Sequence, residues 1–350
     1  MGGWIAIVIV PFFAWTTTII WHRRRSLLSS QQLAQSSSTN TEFETSWKNE
    51  TLQEQSLWTG IQNYQRHPTL PILTFVNEDG TGLGDPATMA EIGRRFVPRP
   101  TTDVHIVTYP KAGTSWIQEV VWLVNHDADI ATSNNVPSSH RTVYIELRTT
   151  DNNDKLSQLE KVPVESPRHI KWHHSSDLLP EQIVSDRNSK IIYLLRNPKD
   201  TVVSWYHFQK KMALYGFTGD FDAFFELFLQ GHVAYGCYLH NVRSWWKLRH
   251  RSNVLILTYE DMHVDLVTVV QKVATFLGKD ILPQQVTAIV EHCQFQQMKE
   301  NPMSSNMRKG QVGDWRNYLS EDQSRRMDIW VDEHEQQDVG SDERLPFIYE

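Results

Sequence analysis

Only two cysteines, Cys237 and Cys293, occur in 350 residues. That is too few for a disulfide framework, and their separation fits no thiolate metal site, so the chain reads as a protein of a reducing compartment. Positive charge is not in excess either. Forty-one acidic residues face 34 basic ones, a formal charge of −7, which excludes a molecule-wide field for nucleic acid. Fifteen histidines are present, but the nearest zinc-like run, HEQQD at 334–338, lacks its second His, and no metal is expected. No internal repeat is visible. No Gly-x4-Gly-Lys-Ser/Thr loop is found, so an ordinary nucleotide-triphosphatase loop is absent. Long apolar runs are missing except for one, Trp4 to Trp21.

That run carries no charge and is followed by His22 and Arg23 to Arg25. It is long enough to span a bilayer, and residues 1–25 are read as a hydrophobic helix with a basic flank. A signal peptide is the alternative, although the start is not basic and no small-x-small cleavage site follows. The Arg cluster places the rest of the chain in the cytoplasm, membrane-anchored through residues 4–21; a soluble cytoplasmic protein is the other reading. Residues 26–66 are rich in Ser, Gln, Thr and Asn and form a polar linker, with a sequon at Asn49 that matters only in a lumen. The folded domain is assigned to 67–350.

Within it, residues 105–109 alternate as a short strand, Pro110 ends it, and Lys111, Ala112, Gly113, Thr114 and Ser115 make a tight turn of small residues. Trp116 to Val124 then has helical spacing. A strand, loop and helix in this order aim backbone N–H groups and a helix N-terminus at one point, and Lys111 adds a full charge, which suits a phosphate. Further strands are expected at 189–195 and 253–258. Helices are expected at about 89–96, from about 201, at 221–229 and at 262–277. The region 127–164 reads as surface loops and short helices. Strands alternating with helices predict an α/β domain of three layers with a central parallel sheet. Ligands of such sheets sit beyond the carboxyl ends of the strands. Lys111, Arg196 and Tyr259 all lie there.

The segment TYPKAGTSW at 108–116 resembles the 5′-phosphosulfate loop of the cytosolic-type sulfotransferases, whose donor is 3′-phosphoadenosine 5′-phosphosulfate (PAPS). YLLRNPKDTVVSWYHF at 193–208 is similar to the family's 3′-phosphate segment, with Arg196 and Ser204 in the matching places. MRKGQVGDWRNYLS at 307–320 resembles its RKGxxGDW motif through Arg308, Lys309 and Gly310. The resemblance covers about residues 70–335 and implies a P-loop-like fold. It further implies that Trp116 stacks on adenine and that Tyr259 and Ser304 line the nucleotide site. Lys171 and His173, in KWHHSSDLLP, fall on the family's Lys and His. Here Trp172 replaces a small residue, His174 an apolar one and Ser175 a Pro.

The implied activity is transfer of a sulfuryl group from PAPS, as co-substrate, to a hydroxyl or amine of a small acceptor. Its product would be PAP, the 3′,5′-bisphosphate. His173 would be the base, Lys111 and Lys171 the cations at the transfer centre. Phenols, alcohols, sterols and amines remain open as acceptors. The family's dimer pattern would fall on Arg316, Ser320, Glu321 and Arg325, which keep it too poorly to carry over. A nucleoside or small-molecule kinase of P-loop type is the competing enzyme class. A catalytically inactive PAPS-binding module is the reading outside enzymology.

Overall fold

A run of six wholly buried residues, Asp103–Thr108, forms the central strand of a five-stranded sheet. In the computed structural model, residues 82–83, 86–148, 154–212, 217, 219–304, 307–336 and 344–349 are described, all within one unit of the chain, 74–350. The hydrophobic segment 4–21, the linker 26–66 and Asn49 lie outside them. Among the described residues, no helix is long and apolar enough to cross a membrane.

In chain order the strands are β1 (Gly82–Leu83), β2 (Asp103–Thr108), β3 (Val143–Tyr144), β4 (Leu147–Arg148), β5 (Arg168–Trp172), β6 (Lys190–Leu195) and β7 (Val254–Thr258). The large sheet has the order β3-β5-β2-β6-β7, and every pairing in it is parallel. β1 and β4 form a separate antiparallel pair.

Helices cover both faces. α1 (Pro86–Arg95) precedes β2, and α2 (Thr114–Asn125) follows it. After β6 come α3 (Pro198–Lys211), α4 (Phe221–Leu229) and α5 (Tyr238–Trp246); after β7 come α6 (Tyr259–Val264), α7 (Leu266–Leu277) and α8 (Pro283–His292). α9 (Glu321–Gln336) closes the helical series. The period-two geometry of β6 distributes its side chains between two cores. Ile192 and Leu194 join Val104, Ile106 and the apolar stripes of α2, α7 and α8 on one side. Tyr193 points the other way, where its ring stacks on Trp245 of α5 at 5.6 Å. Phe224, Phe225 and Phe228 of α4 are fully buried on that side, the core stripe their spacing predicts.

Three expectations are corrected. Two sheet strands, β3 and β5, do not show in the hydrophobic pattern. β5 hides because its polar residues are neutralised inside: Arg168 makes an ion pair with Asp103 and donates to the Val97 carbonyl, and His169 accepts from Asn125 Nδ2 at 2.8 Å. The region 127–164 is therefore not all surface, since it contains β3 and the buried Glu146, Leu156 and Leu159. The single helix expected over 262–277 is two, α6 and α7. Asp265 breaks it with an extended φ of −148° and caps α7 by accepting from Thr268 N.

Candidate active site

All five strands of the parallel sheet deliver a residue to one crevice at their carboxyl ends, as such sheets do. Lys111 follows β2, His173 follows β5, Arg196 follows β6 and Tyr259 follows β7; Tyr144 ends β3. They line a cavity of about 330 Å³.

The loop after β2 is conformationally demanding. Lys111 has φ +71° and Gly113 φ +114°, both left-handed, a region L side chains rarely adopt. A Cβ on Gly113 would lie 2.6 Å from Cδ2 of Tyr259 and 2.9 Å from Cδ2 of Leu194. Only glycine lets the loop lie this close to the ring. Gly113 caps α2, whose first turn therefore presents its N–H groups to the cavity. Thr114 Oγ1 is 2.6 Å from Thr108 Oγ1, which ties the helix start to the end of β2.

Cations crowd this point. Burial, followed by the charges of Lys171, Arg196, Arg308 and Lys211, pushes the Lys111 ammonium down to about 7. Its Nζ stands 4.2 Å over the Phe208 ring. Lys171 is pushed down to about 8 by burial, with the Glu146 charge acting in the opposite sense, and its Nζ lies 3.8 Å over the Tyr144 ring. The site's electrostatics therefore ask for an anion.

His173 is fixed from several directions. Its Nδ1 is 2.7 Å from the Thr108 carbonyl oxygen, which can only accept; Nδ1 therefore carries the proton and Nε2 the lone pair. Burial first, then the Lys171 charge, holds its pKa well below the ordinary imidazole value, so the ring is neutral. Tyr144 and Tyr235 flank it edge-on, each at 5.2 Å, and their hydroxyls are hydrogen-bonded to each other. Trp172, between Lys171 and His173, points to the opposite face of β5. There it is fully buried and its Nε1 donates to His105 Nδ1 at 3.0 Å. The bulky substitution thus packs in the core and does not reach the cavity.

The second and third motifs meet across the cavity from this histidine. Arg196 lies 4.2 Å over the Tyr259 ring and donates to the Gln311 carbonyl at 2.7 Å, while its Nε is buried without a hydrogen-bond partner among the described residues. Asp200 accepts from the N–H groups of Gly313 and Trp315, and Asp314 accepts from Arg308 and Lys309, each at 2.8 Å. Gly310, with φ +66°, passes so near the Phe295 ring that a Cβ would be 2.0 Å from it.

Of the sequence-predicted residues, Lys111, Gly113, Thr114, Ser115, Trp116, Lys171, His173, Arg196, Ser204, Tyr259, Arg308, Lys309 and Gly310 line the cavity together. Ala112, within the loop, is buried and Ser304 is not in the lining; the Ser304 Oγ is buried without a hydrogen-bond partner among the described residues. The Trp116 indole N–H donates to the Cys293 carbonyl at 2.8 Å, which fixes the ring's attitude at the cavity wall. Sequence reasoning missed Tyr144, Phe208, Tyr235 and the buried Glu146, Asp200 and Asp314. Phe208, Asp200 and Asp314 were accessible, since each lies inside a motif quoted above. Tyr144 and Glu146 are placed by tertiary packing alone. Among the described residues, no group of three or more His, Cys, Asp or Glu is arranged to hold a metal.

The profile of the sulfotransferase domain matches residues 101–338. Rat sulfotransferase 1E1 is 39% identical over 241 residues, covering 65% of this chain and 80% of the relative. Human sulfotransferase 1C2 is 36% identical over 241 residues, with the same coverage. Among solved structures, a mouse sulfotransferase complexed with PAP superposes with a TM-score of 0.62 at 30% identity, covering 73% of this chain and 91% of the other. Retinol dehydratase, in a complex with retinol and PAP, gives a TM-score of 0.66 at 26% identity, covering 77% and 91%. With a parallel sheet whose carboxyl ends gather a glycine loop, a buried guanidinium and a neutral histidine, the chain belongs to the sulfotransferase family and is a PAPS-dependent enzyme.

Proposed function

We propose that the cavity joins a nucleotide-binding half, built from the Lys111 loop, Arg196, Ser204 and Arg308 to Gly310, to an acceptor half. Tyr144, Leu147, Phe208, Met212 and Tyr235 surround the acceptor there. The observation that carries this reading is the position of His173. It stands between the two halves with Nδ1 committed to the Thr108 carbonyl and Nε2 left to accept a proton.

The residues fit the donor. The Gly113 loop is a cradle that a Cβ would fill, Arg196 keeps a buried donor unused, and the charges that press on Lys111 are cationic. PAPS supplies an activated sulfuryl group on a phosphate leaving group. His173 takes the proton of the acceptor hydroxyl or amine at Nε2. Lys111 and the helix N-terminus face negative charge as it develops on the leaving phosphate, and Lys171 holds a second cation at the transfer centre. Arg196 and Ser204 grip the 3′-phosphate, where a guanidinium fork matches phosphate oxygens. Trp116, at the cavity wall, and Tyr259 enclose the adenine, with Ser304 behind them. The acceptor is a small molecule with an apolar body, since aromatic rings and Met212 dominate that half; sterols and retinoids have such bodies. Turnover of labelled PAPS against a panel of phenols, alcohols, sterols and amines tests this. Absence of turnover with every apolar acceptor would overturn this reading of the acceptor half.

The apolar run 4–21, with Arg23 to Arg25 behind it, supports an anchor that leaves the domain in the cytosol. In microsomes the domain is then protease-sensitive, Asn49 is unglycosylated, and carbonate washing leaves the protein on the membrane. A protected, glycosylated domain overturns this orientation.

A further inference from the structure

We infer that Glu146 is a positioning residue for sulfuryl transfer: its carboxylate holds the backbone amides of His173 and His174 and so sets where the His173 imidazole stands. This rests on His173 being the base.

β3 and β5 pair only at Val143 with Ile170 and at Tyr144 with Lys171. Beyond that point the β3 ladder stops, and the amides that follow β5 meet no strand on that side. Glu146, two residues past β3, fills the gap with a side chain. Its Oε2 accepts from His173 N at 2.9 Å and its Oε1 from His174 N at 3.0 Å. The carbonyls of the same two residues are held as well, by Asn241 Nδ2 at 2.9 Å and by Trp245 Nε1 at 3.2 Å. Four bonds thus fix the main chain of two consecutive residues, and the two to Glu146 are the charged ones.

Glu146 is 0% exposed. An ionised carboxylate is costly to bury without partners. Burial raises its pKa above the ordinary carboxyl value, against the lowering pull of the His174 charge, the two amides and the Lys171 charge. Both oxygens accept from N–H groups, which is the arrangement of the anion. A hydrophobic core has no use for such a group, whereas a loop carrying the base has. The anion also has a second effect, because it favours the charged form of Lys171. The charged and titratable groups around that lysine are Lys111 and His173, with the Tyr144 ring beneath its Nζ.

The test is Glu146→Gln in the full chain. Glutamine keeps the size, but its amide nitrogen can only donate, so it faces one main-chain N–H donor to donor. Turnover should fall on the order of 100-fold, the effect of misplacing a catalytic group by a fraction of its reach. The Michaelis constant for PAPS and the thermal stabilisation by PAP should stay within about threefold, because the donor half does not touch Glu146. The alkaline limb of the kcat profile should move to lower pH, since Lys171 loses its neighbouring anion. A role in folding alone would move neither the split between kcat and KM nor that limb. Should Gln prevent folding, Glu146→Asp, one methylene short, is read for the same split. Unchanged kcat, or equal losses in kcat and PAP binding, overturns the assignment. His173→Ala is run in parallel. If it stays active, the base itself is misassigned; if it is dead while Glu146→Gln is fully active, only the role of Glu146 fails.

Discussion

Asp200, in the first turn of α3, accepts a 2.7 Å hydrogen bond from the backbone N–H of Gly313, 113 residues further along the chain. A second bond, from Trp315 N to the other carboxylate oxygen, makes the grip bidentate. A side chain of the Arg196 segment thereby holds the turn that carries Arg308 and Lys309.

Removing that grip leaves two main-chain donors unpaired in a partly buried turn, a loss of about 1–3 kcal/mol for each. Asp200→Ala should therefore weaken PAP binding by at least about tenfold, and kcat at saturating PAPS should change much less. Calorimetric titration with PAP measures it. Wild-type affinity in the variant would show that the third motif holds its shape unaided.

Glycine at 113 is required by contact as well as by φ. Gly113→Ala places a methyl against Tyr259 and Leu194, both at under 3 Å, at φ +114°. Stability should fall by about 1–3 kcal/mol and PAP stabilisation should be largely lost. Gly278→Ala provides the comparison. It too has a positive φ, +68°, but its Cβ meets nothing within 4 Å, so it should cost about 1 kcal/mol with PAP binding intact. Equal effects on PAP binding at the two positions would remove the steric argument.

The Lys111 loop, the Arg196 segment and the 307–320 turn were legible because each is a run of residues whose backbone does the work: small residues, a positive φ, a helix start. The central strand was legible through its apolar alternation. Glu146, β3 and β5 were not. Their polar residues are paid for by partners far away in sequence, such as Asp103 for Arg168 and the amides of 173 and 174 for Glu146. Periodicity carries no trace of such pairings. Trp172 shows the converse: a substitution that looked like a change in the catalytic loop is a core residue, because successive side chains of a strand face opposite ways.

Lys111 and Arg196 should separate in kinetics. Lys111 is assigned to charge that develops as the bond to sulfur breaks, so Lys111→Ala should lower kcat by roughly 100- to 1000-fold with a smaller loss of PAP affinity. Arg196 is assigned to the 3′-phosphate, present before and after reaction. Arg196→Ala should raise the Michaelis constant for PAPS by roughly 10- to 100-fold, the worth of a charged hydrogen bond. Steady-state kinetics with PAP titrations distinguish the two. Matching losses in both parameters for Lys111→Ala would remove its assigned role.

His173 and His174 are neighbours with different surroundings. Only His173 has its Nδ1 on the Thr108 carbonyl, so His173→Ala should abolish transfer while PAP still stabilises the protein, and His174→Ala should keep substantial activity. An essential His174 beside a dispensable His173 would mean that the loop acts in a different register.

The cation cluster makes donor binding a proton-linked event. In the ligand-free site Lys111 is pushed down to about 7 and Lys171 to about 8, so at pH 8 part of this charge is absent. An anion in the cavity favours the charged forms, and PAP should bind with uptake of roughly one proton at that pH. Its affinity should fall as pH rises from about 7 to 9. The stability of the free protein follows the opposite sign. An unfolded lysine keeps the ordinary value of 10.5, so between about 7 and that value the unfolded chain binds more protons, and free-protein stability gains from these lysines as pH rises. Bound PAP cancels the gain, and the PAP-induced rise in Tm should be largest near pH 7. Calorimetric titrations at pH 8 in Hepes and in Tris, which differ in ionisation enthalpy, read the proton count directly. Lys111→Arg, charged at every working pH, should reduce the difference between buffers. Identical heats in the two buffers for the wild-type protein would show that Lys111 and Lys171 are already charged before the nucleotide arrives.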